Sequence, residues 1–217
     1  MYFTSRKEAG FRMIEELRKY RFEDSIVIAL NEGGVLVGEP IAMQLHCVLT
    51  MLTSEDIILP GEPEKFGSIL FDGELSENKN YTDSERNYWY SEFRNVIEEQ
   101  KREGFQKLNR LVGDPDILNV EMVKNRAIIL VTDGLVGTTL LDGAADFLRR
   151  VMYKKLIIAT PLSNVEATDR MHIMADETVT LNIYDDLLDI EHYYDEKDIP
   201  SREKIIEKLQ NIILHWA

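Results

Sequence analysis

The sequence predicts an α/β fold with a central, mostly parallel sheet flanked by helices. Short apolar runs typical of buried strands alternate with stretches of helical periodicity, and this alternation implies parallel strands joined by right-handed crossovers. The clearest unit is RAIILVTDGLVGTTLLDGAA at residues 126–145, where an apolar run stops at Asp133-Gly134 and helical spacing follows Gly137-Thr138-Thr139. A chain of 217 residues fits one domain, so we predict a single domain over 1–217.

Each element is predicted from local patterns. Ser5 with Glu8, Thr82 with Glu85, and a third pair near residue 163 have capping-box spacing, which indicates helix starts. Apolar runs indicate strands, and Pro60–Pro63 indicates a turn. The expected helices cover 5–20, 35–46, 82–102, 140–148, the stretch from 163, and 201–216; the expected strands cover 25–30, 47–52, 67–71, 127–131, 155–160 and 177–182, and 72–81 is expected to be a loop.

Composition and charge exclude several classes of function. The chain is acidic, with 39 acidic and 25 basic residues and a net charge of −14, which argues against binding of nucleic acid or an anionic membrane. No apolar run approaches the roughly 20 residues that span a bilayer. The single cysteine, Cys47, lies in an apolar stretch and is expected to be a buried, inert thiol. We expect a cytoplasmic protein.

The segment between Asp133 and Thr139 is a candidate anion site. A buried strand, a small-residue loop and a helix N-terminus follow one another there. Free backbone N–H groups and the helix dipole favour an anion at such a position in open α/β sheets. The four histidines are scattered without metal-ligand spacing, so no residue is assigned to a metal.

Three segments together resemble the type I phosphoribosyltransferases, particularly the small bacterial and archaeal proteins with this domain. VTDGLVGTTL is similar to the ribose-5-phosphate loop of that family, and LNEGG is similar to its pyrophosphate loop. Pro60-Gly61-Glu62-Pro63, followed by Gly67, matches the flexible-loop region. The resemblance implies a phosphoribosyltransferase-type fold, with a flexible loop and helical insertion at about 54–112 and a small hood at about 183–200.

The resemblance also implies a chemistry and a set of site residues. The family displaces pyrophosphate from phosphoribosyl pyrophosphate with a nitrogenous base, usually with Mg²⁺. By position, Asp133 would be the catalytic residue that accepts hydrogen bonds from the ribose hydroxyls. The 5′-phosphate would lie on the loop formed by Asp133, Gly134, Leu135, Val136, Gly137, Thr138 and Thr139, and the pyrophosphate on Glu32, Gly33 and Gly34.

Several positions depart from the family pattern. Thr132 replaces the first of two paired acids, and the loop that follows is one residue short. Glu32, Glu55 and Asp56 stand where basic residues are usual, which predicts repulsion of a pyrophosphate by a few kcal/mol at each position. Mg²⁺ would relieve that repulsion if these three carboxylates and Asp133 converged.

Each candidate also has a purely structural interpretation. Thr138 or Thr139 would serve as an ordinary helix N-cap, and Glu32-Gly33-Gly34 as a tight turn. Glu55 and Asp56 would be solvated loop charges. The hood, which carries Tyr193 and Tyr194, would be a loop packed by its own apolar residues.

Two hypotheses about function remain open, with a third beside them. The first is a phosphoribosyltransferase-family protein that binds a nucleotide or phosphoribosyl pyrophosphate and transfers phosphoribosyl groups in nucleotide metabolism. The alternative is a catalytically inactive regulatory or scaffolding protein, motivated by the charge reversals and the aromatic helix at 82–102. The third is an enzyme whose new carboxylates bind a metal and a less anionic substrate. Dimers are common among similar proteins, so a homodimer through the aromatic helix is a further expectation.

Overall fold

The protein contains two sheets and eight α-helices within the residues that the structure, a computed structural model, describes: 2–62, 64–70, 73–111, 120–197 and 199–212. The strands are β1 (Ser25–Ala29), β2 (Val48–Met51), β3 (Ser54–Ile58), β4 (Lys65–Leu70), β5 (Leu75–Glu77), β6 (Ala127–Val131), β7 (Lys155–Asn164) and β8 (Glu177–Tyr184). The helices are α1 (Arg6–Leu17), α2 (Glu32–Leu45), α3 (Asp83–Glu92), α4 (Arg94–Leu111), α5 (Val120–Val123), α6 (Thr139–Leu148), α7 (Val165–Met174) and α8 (Arg202–Ile212), with 3₁₀ turns at Arg18–Phe22 and Glu191–Tyr193.

The central sheet has five strands in the order β2-β1-β6-β7-β8, and all its pairs are parallel. Strands β1 and β6 are buried along their whole length because helices cover both faces. Alternate β1 residues enter two cores. Val27 packs with side chains of α1, α2 and α8, whereas Ile28 packs with those of α6 and α7. The predicted α/β class is confirmed.

A second, antiparallel sheet lies in the region expected to be a flexible loop and helical insertion. Its strand order is β3-β4-β5, and its core of Ile57, Phe66, Ile97 and Leu108 is shared with α4. Strands β3 and β5 were not predicted, because both are short and polar. The expected single helix at 82–102 is wrong as well, since it divides at Phe93 into α3 and α4.

The predicted hood packs against the N-terminus of the chain. Phe3 forms a parallel bridge with Tyr194, and both are buried with Leu162 and Leu187 in a small separate core. The interpretation of this segment as a loop packed by its own apolar residues therefore holds in part, with α1 and β7 supplying the other half of the core. Asp198 lies outside the described residues.

The second helix begins earlier than predicted. Asn31 is its N-cap and accepts a hydrogen bond at Oδ1 from the Gly34 N–H at 2.7 Å. The expected pyrophosphate loop, Glu32-Gly33-Gly34, is therefore the first turn of α2 and not a loop. At the other end of the chain α8 is described to Ile212, and the predicted continuation to Trp216 lies outside the described residues, as do Pro63 and Phe71.

Two smaller expectations concern the membrane and the thiol. No helix in the described part of the chain is long and apolar enough to cross a bilayer. Cys47 is free and buried, and burial raises the pKa of its thiol to about 11. The thiol is therefore protonated near neutral pH, as the apolar sequence around it predicts.

Candidate functional site

The two loops that the sequence singled out meet at the carboxyl edge of the parallel sheet. β1 and β6 are neighbours, and the chain leaves them in opposite directions, towards β2 and towards β7. Such a switch point opens a crevice that binds ligands in α/β folds. Asn31, after β1, donates from Nδ2 to Oδ1 of Asp133, after β6, at 2.7 Å. The fold therefore joins the predicted phosphate loop to the start of α2.

Asp133 is the buried centre of this junction, with 2% of its surface exposed. Its Oδ2 accepts from Nε of Arg6 at 2.7 Å, and its Oδ1 accepts from Asn31. The Tyr194 hydroxyl donates to its main-chain oxygen at 2.7 Å. The predicted contact with ribose hydroxyls stays a prediction, and both carboxylate oxygens already have partners within the protein.

Arg6 was not recognised from the sequence, although it is the cation that pairs with Asp133. It is buried between two carboxylates, Asp133 and Glu191, and its guanidinium carbon lies 4.6 Å from the centre of the Tyr194 ring. Burial lowers the pKa of Arg6, but the charges and hydrogen bonds of Asp133 and Glu191 outweigh it and raise the pKa overall. Arg6 therefore ties α1 to the loop after β6 and to the hood.

The glycines of α2 permit this close approach. A Cβ at Gly33 would lie 2.0 Å from Oδ2 of Asp133, and one at Gly34 would lie 2.7 Å from the Val131 carbonyl oxygen. Because no side chain fits there, the two glycines are explained by backbone packing without any ligand.

The start of the candidate phosphate loop is hydrogen-bonded to β7, whereas the N–H groups at its end have no acceptor among the described residues. Leu135 exchanges backbone hydrogen bonds with β7, donating to Leu162 and accepting from Asn164, both at 3.0 Å. Thr138 occupies the N-cap position of α6, yet its side chain makes no capping hydrogen bond. Within the described residues the N–H groups of 136–139 have no acceptor. Backbone N–H groups at the N-terminus of a helix, here one of ten residues, form a cradle suited to an anion.

The acidic residues expected to repel pyrophosphate all have cationic partners. Arg202, at the start of α8, donates from Nε to Glu32 at 2.8 Å and from Nη1 to Glu55. Lys107 Nζ lies 2.7 Å from Oε2 of Glu55. The hydrogen bonds and charges of the two glutamates raise the pKa of Arg202, although its burial acts in the opposite direction. The expected charge reversal is therefore compensated by cations from distant parts of the chain.

Asp56, the third of these acidic residues, also has a cationic partner. Its Oδ1 lies 3.0 Å from Nζ of Lys65 and accepts from the Ser68 hydroxyl at 2.7 Å. Glu55 and Asp56 both lie on β3, so the expectation that they lie in a loop is wrong, whereas the Asp56 side chain is exposed to solvent as expected. No group of three or more His, Cys, Asp or Glu side chains that would hold a metal ion occurs in the described part of the chain. The carboxylates proposed to converge on Mg²⁺ do not form a metal site by themselves.

A cleft of about 740 Å³ opens between this charged group and the parallel sheet. Its lining includes four acids and three bases, a formal balance of −1: Glu32, Glu55, Asp56, Glu203, Lys65, Lys107 and Arg202. Thr53 also lines it and is 2% exposed, and its hydroxyl has no hydrogen-bond partner among the described residues. A smaller cavity of about 40 Å³ continues along α6, past Thr138 and Thr139. The two cavities share Leu30, Leu52 and Leu140, so together they form a crevice between Arg202 and the start of α6.

Comparison with known proteins supports the fold. No family model matches the chain. Over 100% of both chains, the structure is similar to the protein TT1426 from Thermus thermophilus, with 23% sequence identity and a TM-score of 0.73. The two chains share a fold. At this identity the similarity extends to architecture and not to activity.

Solved phosphoribosyltransferases are similar at lower scores. The purine phosphoribosyltransferase from Pyrococcus horikoshii has 12% identity and a TM-score of 0.45 over 88% of each chain. A hypoxanthine-guanine phosphoribosyltransferase from Bacillus anthracis has the same identity and score over 85% of this chain and 84% of its own. Scores below 0.5 carry no argument about function, so membership of the family stays a prediction.

Proposed function

We propose that the protein binds a small molecule that carries a ribose 5-phosphate group. The phosphate lies on the N–H groups of 136–139 at the start of α6, and the remainder of the ligand occupies the adjoining crevice. The observation that carries the proposal is that the N–H groups of 136–139 have no acceptor among the described residues and that two of these residues, Thr138 and Thr139, line the smaller cavity beside the switch point of the parallel sheet. The resemblance of VTDGLVGTTL to a ribose-5-phosphate loop supports the same ligand.

In this proposal Asp133 acts by positioning the loop. Its carboxylate connects α1, through Arg6, with α2, through Asn31, and so fixes the point at which the cradle begins. Contact with ribose hydroxyls would require Asp133 to share its oxygens with those donors. A role as a catalytic residue in phosphoribosyl transfer therefore has less support than binding.

The sequence analysis also raised phosphoribosyl transfer, bound Mg²⁺ and a homodimer. The described carboxylates do not group into a metal site, so bound Mg²⁺ would depend on phosphate oxygens of the ligand. Nothing observed among the described residues favours the alternative of a regulatory or scaffolding protein. A homodimer through α3 stays a prediction, with Tyr88 on that helix exposed.

A pair of isosteric variants at Gly137 tests the proposal. A Cβ at this position would meet no atom within 4 Å, so both Gly137→Asp and Gly137→Asn should fold. The variants differ by one negative charge placed beside the cradle. At about 4 Å that charge repels a phosphate charge by about 1 kcal/mol in water and about 4 kcal/mol in a partly desolvated site.

Calorimetric titration with ribose 5-phosphate is the measurement. We expect the wild type to bind, Gly137→Asn to bind within about threefold of it, and Gly137→Asp to bind at least about tenfold more weakly, equivalent to about 1.4 kcal/mol. Absence of binding to the wild type would refute the proposal. Equal binding by the two variants would place the phosphate elsewhere.

A further inference from the structure

Four ion-paired residues that line the cleft restrict which phosphorylated ribose fits. These are Glu32, Glu55, Lys107 and Arg202, called the ion-paired group below. We propose that the ligand is a nucleoside monophosphate, a ribose 5-phosphate whose C1′ substituent is uncharged, and that Glu32 and Glu55 select against phosphoribosyl pyrophosphate. This inference rests on the proposed function, because it concerns the part of the same crevice that lies beyond the phosphate cradle.

The ion-paired group has no net formal charge. Glu32 and Glu55 contribute two negative charges, and Arg202 and Lys107 contribute two positive charges. Arg202 is hydrogen-bonded to both glutamates at once. A pyrophosphate at this position must take Arg202 from two carboxylates and then remain beside them, which is unfavourable in a partly desolvated cleft.

The rest of the cleft, beside the ion-paired group, is partly apolar. The cleft is lined by Leu30, Met51 and Leu52 as well as by the charged group, and the buried Thr53 hydroxyl lacks a partner there among the described residues. A buried hydroxyl without a hydrogen bond is costly, and a polar atom of a ligand would relieve that cost. Apolar residues lie in this cleft beside a larger number of polar and charged ones, and such a mixed lining suits an uncharged ring that carries hydrogen-bonding edges, as a nucleobase does.

The experiment compares three ligands on the intact protein in EDTA and again with Mg²⁺. These are ribose 5-phosphate, adenosine 5′-monophosphate and phosphoribosyl pyrophosphate, each titrated calorimetrically. We expect the pyrophosphate compound to bind the wild type at least tenfold more weakly than ribose 5-phosphate, and the nucleotide to bind at least as tightly as ribose 5-phosphate. This ratio is measured on the wild type and does not depend on any variant.

The double variant Glu32→Gln/Glu55→Gln assigns the selectivity to these residues. It leaves Arg202 and Lys107 without their carboxylates, so binding of phosphoribosyl pyrophosphate should tighten at least tenfold while that of ribose 5-phosphate changes less than threefold. The matched control is Glu23→Gln/Asp24→Asn. It removes two acids paired with Lys154 and Arg126 at the opposite, amino edge of the sheet. It should change neither affinity by more than twofold.

The outcomes separate the two proposals. Binding of ribose 5-phosphate together with equal or tighter binding of phosphoribosyl pyrophosphate by the wild type would overturn this inference and leave the proposed function standing. An unchanged ratio in a folded double variant would overturn the assignment to Glu32 and Glu55. Absence of ribose 5-phosphate binding would overturn the proposed function, and this inference with it.

Discussion

Nε of Arg6 lies 2.7 Å from Oδ2 of Asp133, and both side chains are almost completely buried. The two residues are 127 positions apart in the sequence. Arg6 also contacts Glu191 of the hood. One buried cation therefore connects the first helix, the loop after β6 and the hood, and these are the parts that surround the start of the candidate phosphate loop.

Removing the carboxylate should be strongly destabilising. Asp133→Ala leaves the buried guanidinium of Arg6 with Glu191 as its remaining acidic partner, and breaking a buried ion pair typically costs about 3–5 kcal/mol. Urea unfolding measures the loss. Asp24→Asn breaks the exposed pair with Arg126 and should cost less than about 1 kcal/mol. A similar, small cost for both variants would show that the buried pair does not form.

Two glycines in helices should respond in opposite ways to alanine. Gly33→Ala places a Cβ 2.0 Å from Oδ2 of Asp133 and should destabilise the fold by about 1–3 kcal/mol through overpacking. Gly143→Ala places a Cβ with no atom within 4 Å and should stabilise α6 by about 0.5–1 kcal/mol. Thermal and urea unfolding of both variants provide the comparison. A Gly33→Ala variant as stable as the wild type, or more stable, would contradict the close approach of α2 to Asp133.

These contacts also show what sequence alone could reveal. The strand β6, the loop after it and α6 were predictable because an apolar run, small residues and helical spacing follow one another within 20 positions. The contact between Asn31 and Asp133 follows from parallel pairing of the two strands before them. Local patterns were sufficient for the strand, loop and helix of this half of the site, but not for Arg6, which lies 127 positions from Asp133.

The other half depends on contacts between distant residues. Arg202 meets Glu32 across 170 positions, and no local pattern marks it as a partner. Strand β3 escaped prediction because its first three residues, 54–56, are polar and only Ile57 and Ile58 are apolar, and its pairing with β4 is what makes it a strand. The expected repulsion of a pyrophosphate was argued from Glu32, Glu55 and Asp56 alone, and their cationic partners add positive charge that this argument left out.

The stability of the protein should decrease in acid through Glu177. Hydrogen bonds from Lys155, Lys19 and Tyr20 lower the pKa of this carboxyl to about 2, against an ordinary value of about 4.3. A lowered folded-state pKa contributes stability that is present above the ordinary pKa and is lost as the pH falls towards 2.

The variant Glu177→Gln measures that contribution. It should be less stable than the wild type by about 1 kcal/mol at pH 7, a size typical of a partly exposed charged group. The difference should shrink between pH 5 and pH 2. Urea unfolding at several pH values provides the curve. A difference that stays constant over this range would contradict the pKa assignment.

The thiol of Cys47 should be unreactive in the folded protein. It is buried, and its pKa is raised to about 11 by that burial, so little thiolate is present at pH 8. We expect negligible reaction with a disulfide reagent such as DTNB in the native state and one equivalent of reaction in urea. Rapid labelling without denaturant would contradict the position of Cys47 in the core.

Backbone amide chemical shifts during a titration with ribose 5-phosphate test the central claim most directly. We expect the largest shifts in ¹⁵N-labelled protein at residues 136–139, because the unpartnered N–H groups there receive the phosphate. Inorganic phosphate should move the same amides more weakly. Saturating ribose 5-phosphate that leaves these amides unmoved, or that shifts only residues outside the crevice, would contradict the proposed phosphate site.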